Sequence, residues 1–416
     1  MLFLPKGARQ RRRGVTTDFL IIGGGIIGLC IARELRARHA GASITLVEKE
    51  PAPGAHASGR NSGVLHAGFY YTADSLKARF CREGNEALRR YIHERGLRIN
   101  PCGKLVVTRT EADLPQLDEL HRRGVRNGVS LQMVSAAEAS RIEPRVKTVE
   151  RALWSPNTAT ADPGEVIESL RRDAQAERIQ LLFDSPYLGR DGATLRVGGH
   201  RFEAGYVVNC AGLYADRVAL DFGFSRRFRI LPFKGLYLYS DEPPHRLRTN
   251  IYPVPDLRNP FLGVHFTLTV DGKIKIGPTA IPAFWREQYQ GLQRFDFREF
   301  LEIAWRDLGL FWSAGFDFRR LAVDELRKYS RHHLVSLAQV LATEVHPANY
   351  RKWGRPGIRA QLINIETRRL EMDFVLEGDQ HSFHVLNAVS PAWTCSIPFA
   401  RHVCDEMGKA AGRGGG

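Results

Sequence analysis

Three features of the 416-residue sequence predict an α/β fold in which a Rossmann-like nucleotide-binding domain carries a second, α+β part built on a mainly antiparallel sheet. The first is the unit "DFLIIGGGIIGLCIARELRARHAGASITLVEKE", a short apolar run, glycines at Gly23, Gly25 and Gly28, apolar residues at helical spacing, and a return to strand. The second is "AGYVVNCAGLYADRVA", an apolar strand ending in a small-residue turn at Cys210, Ala211 and Gly212 before a helix. The third is the run of alternating aromatic strands "RILPFKGLYLYS", "NIYPVP", "NPFLGVHFTLTV" and "KIKIGPTA", which favours an antiparallel sheet beside the nucleotide domain.

In the first unit each glycine has its own expected task. Gly23 permits the tight turn, Gly25 lets the backbone approach a pyrophosphate, and Gly28 lets the helix pack close to the strand. The helix N-terminus supplies N–H groups and a positive dipole end for the phosphates. Glu48, 20 residues after Gly28, ends the second strand, where a carboxylate accepts hydrogen bonds from both ribose hydroxyls and repels a 2′-phosphate, which disfavours NADP. These features do not separate FAD from NAD. The stretch that follows, "PAPGAHASGRNSGVLHAGFYY", is too irregular for helix or strand, and so long a loop inside a compact domain is usually functional. It is placed to run along an extended cofactor, with Asn61 and Ser62 as donors to a planar ring, and this favours FAD. The cofactor-binding candidates are Gly23, Gly25, Gly28, Glu48, Lys49, Ser58, Asn61, Ser62, Gly63, Val64, Ala211, Gly212, Ser390 and Pro391.

Further along, "SLKARFCREGNEALRRYIHERG" reads as an amphipathic helix, "GKLVVTR" as a strand, and "DPGEVIESLRRDAQAERIQLLF" as a helix starting near Asp162 followed by a strand. Helical sequence resumes around 296–345, and the chain closes with "FHVLNAVSPAWTCSIPFARHVCDEMG", read as strand, turn and helix with Ser390 as cap and Pro391 at the first helical position. Such a helix start, aimed at a flavin pyrimidine, would stabilise the charge on reduced flavin. The expected division is a discontinuous FAD-binding domain over 17–90, 150–230 and 350–408, a substrate domain over 91–149 and 231–349, and flexible tails over 1–16 and 409–416.

With 43% hydrophobic and 25% charged residues the composition is that of an ordinary globular protein, and no apolar run approaches the ~20 residues of a membrane helix. The six cysteines are scattered without CxxC or Cys/His spacing, which points to reduced thiols in a cytoplasmic enzyme and to no metal site. The net charge of +15 is spread along the chain, and its one dense run, Arg9 to Arg13, precedes the first folded element and reads as a solvated tail, with attraction to phosphate or to an anionic membrane face as the alternative and no specific nucleic-acid binding expected.

Assembled, "IIGGGIIGL", "RNSGVLHAGFYYTADSLKARFC", "CGKLVV", "NCAGLYADR", "LPFKGLYLY", "YPVPDLRNPFLGVHFT", "IGPTAI", "GIRAQ" and "NAVSPAWTCSIPFA" resemble the FAD-dependent oxidoreductases of the D-amino-acid oxidase (DAO), or glutathione-reductase-2, type from about Asp18 to about Met407. "NSGVLHAGFYY" and "YPVPDLRNPFLGVHFT" look like the branch that oxidises L-2-hydroxyglutarate. Departures from the family pattern are Arg60 for a usual His, Lys234 for a usual Arg followed by Leu236 for an acid, and Val389 and Trp393 in the last motif. The resemblance implies FAD as cofactor and a dicarboxylic 2-hydroxy acid as substrate, with electrons passing to a quinone or to oxygen. An oxidase of a secondary amine or amino acid on the same fold is the alternative.

Hydroxy-acid oxidation needs a hydride acceptor, a base for the hydroxyl proton and cations for the carboxylates. A base titrating near neutrality favours histidine, and the candidates are His66, in the loop along the flavin, and His265, on a strand of the substrate sheet. One of them is the base and the other orients substrate or flavin. Arg359 is the first candidate for the α-carboxylate because its fork matches a carboxylate, with Lys234 and Tyr252 next.

Overall fold

The structure is a computed structural model that describes residues 14–256, 262–313 and 318–412, with side chains at all of these except 307, 308 and 310–322. The basic run Arg9–Arg13 and the central residues of "DLRNPFLG" lie outside the described residues.

The strand Val15–Ile22 pairs in parallel with Ile44–Val47 on one side and with His200–Asn209 on the other. Leu20 and Ile21 are fully buried because both faces of this parallel sheet are covered, as its uninterrupted apolar run requires. The sheet is eight-stranded in the order Tyr187–Asp191, Thr194–Val197, His200–Asn209, Val15–Ile22, Ile44–Val47, Gln180–Leu182, with Ser382–Asn387 added in parallel to His200–Asn209 and Val375–Gly378 beyond it. Helices Ile26–Arg38, Leu76–Glu94, Pro163–Ala176 and Ala392–Gly412 cover one face, their Leu29, Leu88, Leu170 and Phe399 meeting in one core. Helices Leu76–Glu94 and Ala392–Gly412 approach closely: a Cβ on Gly84 would stand 2.3 Å from the Thr394 carbonyl oxygen. Asp162 caps its helix by accepting from the Gly164 and Glu165 amides at 2.7 and 3.1 Å.

A second eight-stranded sheet runs Tyr350–Trp353, Leu238–Ser240, Ile274–Gly277, His265–Leu268, Asn250–Pro253, Lys104–Val107, Arg151–Ser155, Gln132–Ser135. It is antiparallel except where Asn250–Pro253 pairs in parallel with Lys104–Val107. Strands Phe228–Gly235 and Gly357–Asn364 form an antiparallel ribbon in a separate four-stranded sheet.

Five boundaries differ from the sequence expectation. Strands Arg151–Ser155 and Tyr350–Trp353 belong to the second sheet, so the divisions drawn at 150 and 350 fall a few residues too early. The first strand begins at Val15, inside the expected tail, because pairing Val15 with Phe202 extends the edge of the ladder. The last helix starts at Ala392 and continues to Gly412, so Pro391 stands before the first helical residue and part of the expected tail is helical.

Candidate active site

A cleft of about 780 Å³ opens between the ends of the parallel strands and the Phe228–Gly235/Gly357–Asn364 ribbon. It lies where ligands bind in doubly wound folds, outside the carboxyl ends of the strands. At its first end the glycine turn has the geometry its sequence implies. Gly23 has φ +115°, and a Cβ there would meet the Cys210 carbonyl oxygen at 2.4 Å; on Gly28 a Cβ would stand 2.0 Å from the Gly23 carbonyl oxygen. The helix therefore presses against the strand end, and only glycine permits it. Gly25 lines the cleft as the residue before the helix, whose first amide, Ile26 N–H, donates to Ser58 Oγ at 3.0 Å.

Glu48 stands at the strand end as expected, accepting from the Gly24 amide at 2.7 Å and the Glu50 amide at 3.0 Å. A carboxylate offers about four acceptor positions, so capacity for two ribose hydroxyls remains. Lys49 also lines the cleft but is committed to Glu50, at 2.8 Å, and to Glu287. Arg294 joins both acids, and His56 meets Glu50 at 3.0 Å, so the cluster Glu50, His56 and Glu287 is already neutralised by two cations.

Along the loop, Ser58, Asn61, Ser62 and Val64 line the cleft. Asn61 organises its own turn, donating to the Ser58 carbonyl at 2.7 Å and accepting from the Gly63 amide at 2.8 Å. Gly63, with φ +77° and its Cβ position blocked by the Ala161 carbonyl oxygen at 2.2 Å, sets the bend from behind the lining. Ala211 and Gly212, and Ser390 and Pro391, close the opposite sides. Glycines where a side chain would collide, a strand-end acid, a helix N-terminus and a long elongated cleft together fit a dinucleotide that extends to a planar ring.

At the far end, His66 and Arg359 share the lining with Phe233 and Tyr237. The backbone of His66 is fixed from three directions: its amide donates to Thr394 Oγ1 at 3.2 Å, and its carbonyl accepts from Asn85 Nδ2 at 3.1 Å and from the Cys81 thiol at 3.4 Å. Enclosure, then the nearby Lys104, His265 and Arg359, hold the His66 imidazole well below its ordinary value, so it is neutral at physiological pH. His265 is buried behind the lining, its ring stacked on Tyr252 at 3.7 Å between centres. Its Nδ1 lies 2.8 Å from the Gly263 carbonyl, which assigns the proton to Nδ1 and leaves Nε2 as an acceptor. Burial pushes it down to about 3, against the opposing pull of that carbonyl. Arg359 sits opposite Phe233 in the ribbon, and burial lowers it while Tyr237, Tyr71 and Glu325 favour its charge.

Of the proposed substrate and catalytic residues, His66 and Arg359 line the cleft, whereas His265, Tyr252 and Lys234 do not. Lys234 lies between two lining residues, Phe233 and Gly235, so strand alternation turns it to the other face of the ribbon, where burial lowers its amine. Lys234 thus stands outside the lining, against the expectation of a carboxylate clamp exposed in the cleft. Sequence reasoning passed over two buried amines. Lys104 is fully buried, and Lys275 donates to the Ser62 carbonyl at 3.1 Å with its Nζ 4.7 Å from the Tyr237 ring centre. No local pattern marks either: Lys104 stands at the mouth of the apolar run "GKLVV", and in "KIKIG" lysine alternates with isoleucine as on a half-exposed strand, so only the sheet neighbours enclose them.

Residues 18–406 match the family described as DAO, FAD dependent oxidoreductase. Among curated proteins the chain is 36% identical to L-2-hydroxyglutarate dehydrogenase, mitochondrial, of Bos taurus, over 95% of this chain and 90% of that one. It is 33% identical to the L-2-hydroxyglutarate dehydrogenase of Escherichia coli strain K12, over 94% and 93%. Among solved structures it superposes on an L-alpha-glycerophosphate oxidase from Mycoplasma pneumoniae with FAD bound (TM-score 0.75, 22% identity, 94% and 95% covered). It also superposes on a glycine oxidase from Geobacillus kaustophilus (TM-score 0.69, 19% identity, 95% of each covered). A glycine turn that only glycine can make, a cleft of about 780 Å³ lined by that turn and the loop after it, and a match spanning nearly the whole chain place this protein in the DAO family of FAD-dependent oxidoreductases.

Proposed function

We propose that the protein oxidises L-2-hydroxyglutarate to 2-oxoglutarate. The observation that carries this reading is that a neutral imidazole and a guanidinium near enough to act on each other, His66 and Arg359, line the same cleft in a chain about a third identical to L-2-hydroxyglutarate dehydrogenases. FAD, held by the glycine turn, Glu48 and the loop through Ser62, supplies a two-electron acceptor for the hydride on the substrate Cα. The substrate hydroxyl proton goes to an imidazole, His66 at the wall or His265 behind it, each of which is uncharged at neutral pH. Arg359 holds a carboxylate, and its enclosure strengthens that charge–charge contact. Tyr252 supports His265 by stacking and stands behind the site as a positioning residue.

Anaerobic mixing with L- and D-2-hydroxyglutarate while the flavin spectrum is recorded tests the reading. Bleaching by the L enantiomer alone is expected. Bleaching by amino acids or secondary amines in its place would favour the alternative oxidase. His66→Gln and His265→Gln variants separate the two imidazoles, and loss of less than tenfold in reduction rate for both would refute the base assignment.

For the electron acceptor we favour a quinone reached at a lipid surface. Phe297, Leu301 and Trp305 recur every four residues on the helix Phe297–Ser313 and are 62%, 52% and 77% exposed, an apolar stripe on a chain of net charge +15. Among the described residues no helix is long and apolar enough to cross a membrane. Flotation with anionic vesicles that is lost in Trp305→Ser, with reduced flavin reoxidised faster by a quinone analogue than by oxygen, is the expected result. Rapid reoxidation by oxygen without flotation would refute it.

A further inference from the structure

Lys104 opens the strand Lys104–Val107, which lies inside the second sheet between Asn250–Pro253 and Arg151–Ser155, and its side chain shares the face of Val106. That face is sealed. Lys104 is 0% exposed and its Nζ has no hydrogen-bond partner. Three rings enclose the amine, with Nζ 4.3 Å from the centre of Tyr252, 5.1 Å from Tyr70 and 5.4 Å from Phe69. Aromatic faces attract a cation but leave its N–H donors unmet, so the amine is buried at a cost in stability that methionine or leucine in the same cage would avoid.

The cage backs onto both histidines. Tyr252 carries the stacked His265 ring, and Phe69 and Tyr70 follow His66 by three and four residues. The charged and titratable groups facing His66 are Lys104, His265 and Arg359; those facing His265 are Lys104, Lys275 and Lys328, opposed by the Gly263 carbonyl. Lys104 belongs to both sets, and the groups favouring its own charge are the thiols of Cys81 and Cys102. We infer that Lys104 is a positioning residue for the His66–His265 pair, a buried charge that withholds protons from both imidazoles and keeps them in the proton-accepting form. This rests on the reading of that pair as the proton acceptor. Burial brings the amine down to about 7, so it is cationic on the acid side of neutrality, where a free imidazole would begin to take up a proton.

The test is a pH titration of the holoenzyme labelled with 13C-histidine, followed by NMR, with the two resonances assigned from His66→Gln and His265→Gln. In the wild-type protein both rings stay neutral at neutral pH, and His265 does so well into the acid range. Lys104→Met raises one or both midpoints by at least about one pH unit, a tenfold gain in proton affinity, and the acid limb of kcat/KM moves up with it. Lys104→Arg keeps the charge and leaves the midpoints in place. Lys104→Met also melts no lower than wild type. Unmoved midpoints in Lys104→Met overturn the inference, as does failure of both Lys104→Met and Lys104→Leu to fold, which would make the amine a structural requirement. If His66→Gln and His265→Gln both reduce flavin at the wild-type rate, the proton-acceptor reading itself falls. That result is distinct from unmoved midpoints in an enzyme whose His66→Gln is impaired, which overturns Lys104 alone.

Discussion

Gly28→Ala is the sharpest probe of how the cofactor end is built. The added Cβ would sit 2.0 Å from the Gly23 carbonyl oxygen. Ordinary C···O contacts are about 3.3 Å, so helix and turn must part by roughly 1.3 Å. Neither side gives easily: the oxygen belongs to a turn pinned by the Gly23 amide on the Val47 carbonyl at 2.8 Å, and the helix is anchored by Leu29, Ile31, Ala32 and Leu35, all at 2% exposure or less. Overpacking of this kind costs about 1–3 kcal/mol, and a backbone obstacle puts it near the upper value. Because the same displacement carries the helix N-terminus away from the phosphates, we expect most of it in FAD affinity, a loss of about 10- to 100-fold at 1.4 kcal/mol per decade. Titration of apoprotein with FAD, followed by flavin fluorescence, measures it. Gly41→Ala, where a Cβ meets nothing within 4 Å, is the matched control. FAD affinity within twofold of wild type in Gly28→Ala would refute the close-approach argument.

Asp216→Ala should destabilise the fold by about 3–5 kcal/mol in urea unfolding. Asp216 holds the fully buried Arg286 through two contacts of 2.7 and 2.9 Å, and its removal would leave only the more distant Glu299, 3.9 Å from the guanidinium, as an opposing charge in ion-pair range among the described residues; a loss under about 1 kcal/mol would show the pair to be hydrated or dispensable. His265 contributes acid sensitivity. Its folded value of about 3 lies below the ordinary 6.5, so between those limits the unfolded chain holds the extra proton and stability falls as pH drops, by up to about 1.4 kcal/mol per pH unit. His265→Gln should flatten the fall of Tm between pH 6.5 and 4.5, and an unchanged slope would place the acid sensitivity elsewhere. Arg359→Met should raise KM for the hydroxy acid at least about tenfold, with Arg359→Lys between it and wild type, since a lysine keeps charge but not the fork. An unchanged KM in Arg359→Met would remove Arg359 from the carboxylate.

The parts of the fold that repeat a local rule could be read from the chain. The turn at Gly23 needs a positive φ, the helix at Asp162 needs a cap, and "GYVVN" needs cover on both faces; each is a property of a few neighbouring residues. What stayed hidden depends on which strands become neighbours. Tyr252 and His265 meet because Ile251 pairs with Phe266, which sets the next residues on each strand side by side, and no local pattern fixes that register. Lys104 reads locally as a cation at the mouth of an apolar strand, free to reach solvent; only the placement of that strand inside an eight-stranded sheet encloses it. Lys234 was the opposite case. Its alternation with Phe233 and Gly235 is legible locally and sets it on the opposite face of its strand from those two lining residues.

The same geometry sorts the positions where this chain departs from its family's pattern. Arg60 lines the cleft, yet its guanidinium is held by the Ala55 carbonyl at 2.6 Å and the Pro356 carbonyl at 3.2 Å and lies over the Tyr289 ring at 4.2 Å. Its charge is therefore directed at the Tyr289 side, toward the small cavity bounded by Glu50, Glu287 and Arg294, and away from the wall that carries His66. Lys234 is buried and does not line the cleft. Trp393 differs from both: it lines the cleft in the first turn of the last helix, one residue before the Thr394 hydroxyl that holds the His66 amide, and its indole N–H is buried without a partner. A buried donor left unmet costs about 1–3 kcal/mol, which a bound acceptor recovers. Of these three, then, Trp393 is the one placed to alter what the cleft holds, beside Val389, which also lines it, while Arg60 and Lys234 change the frame around it.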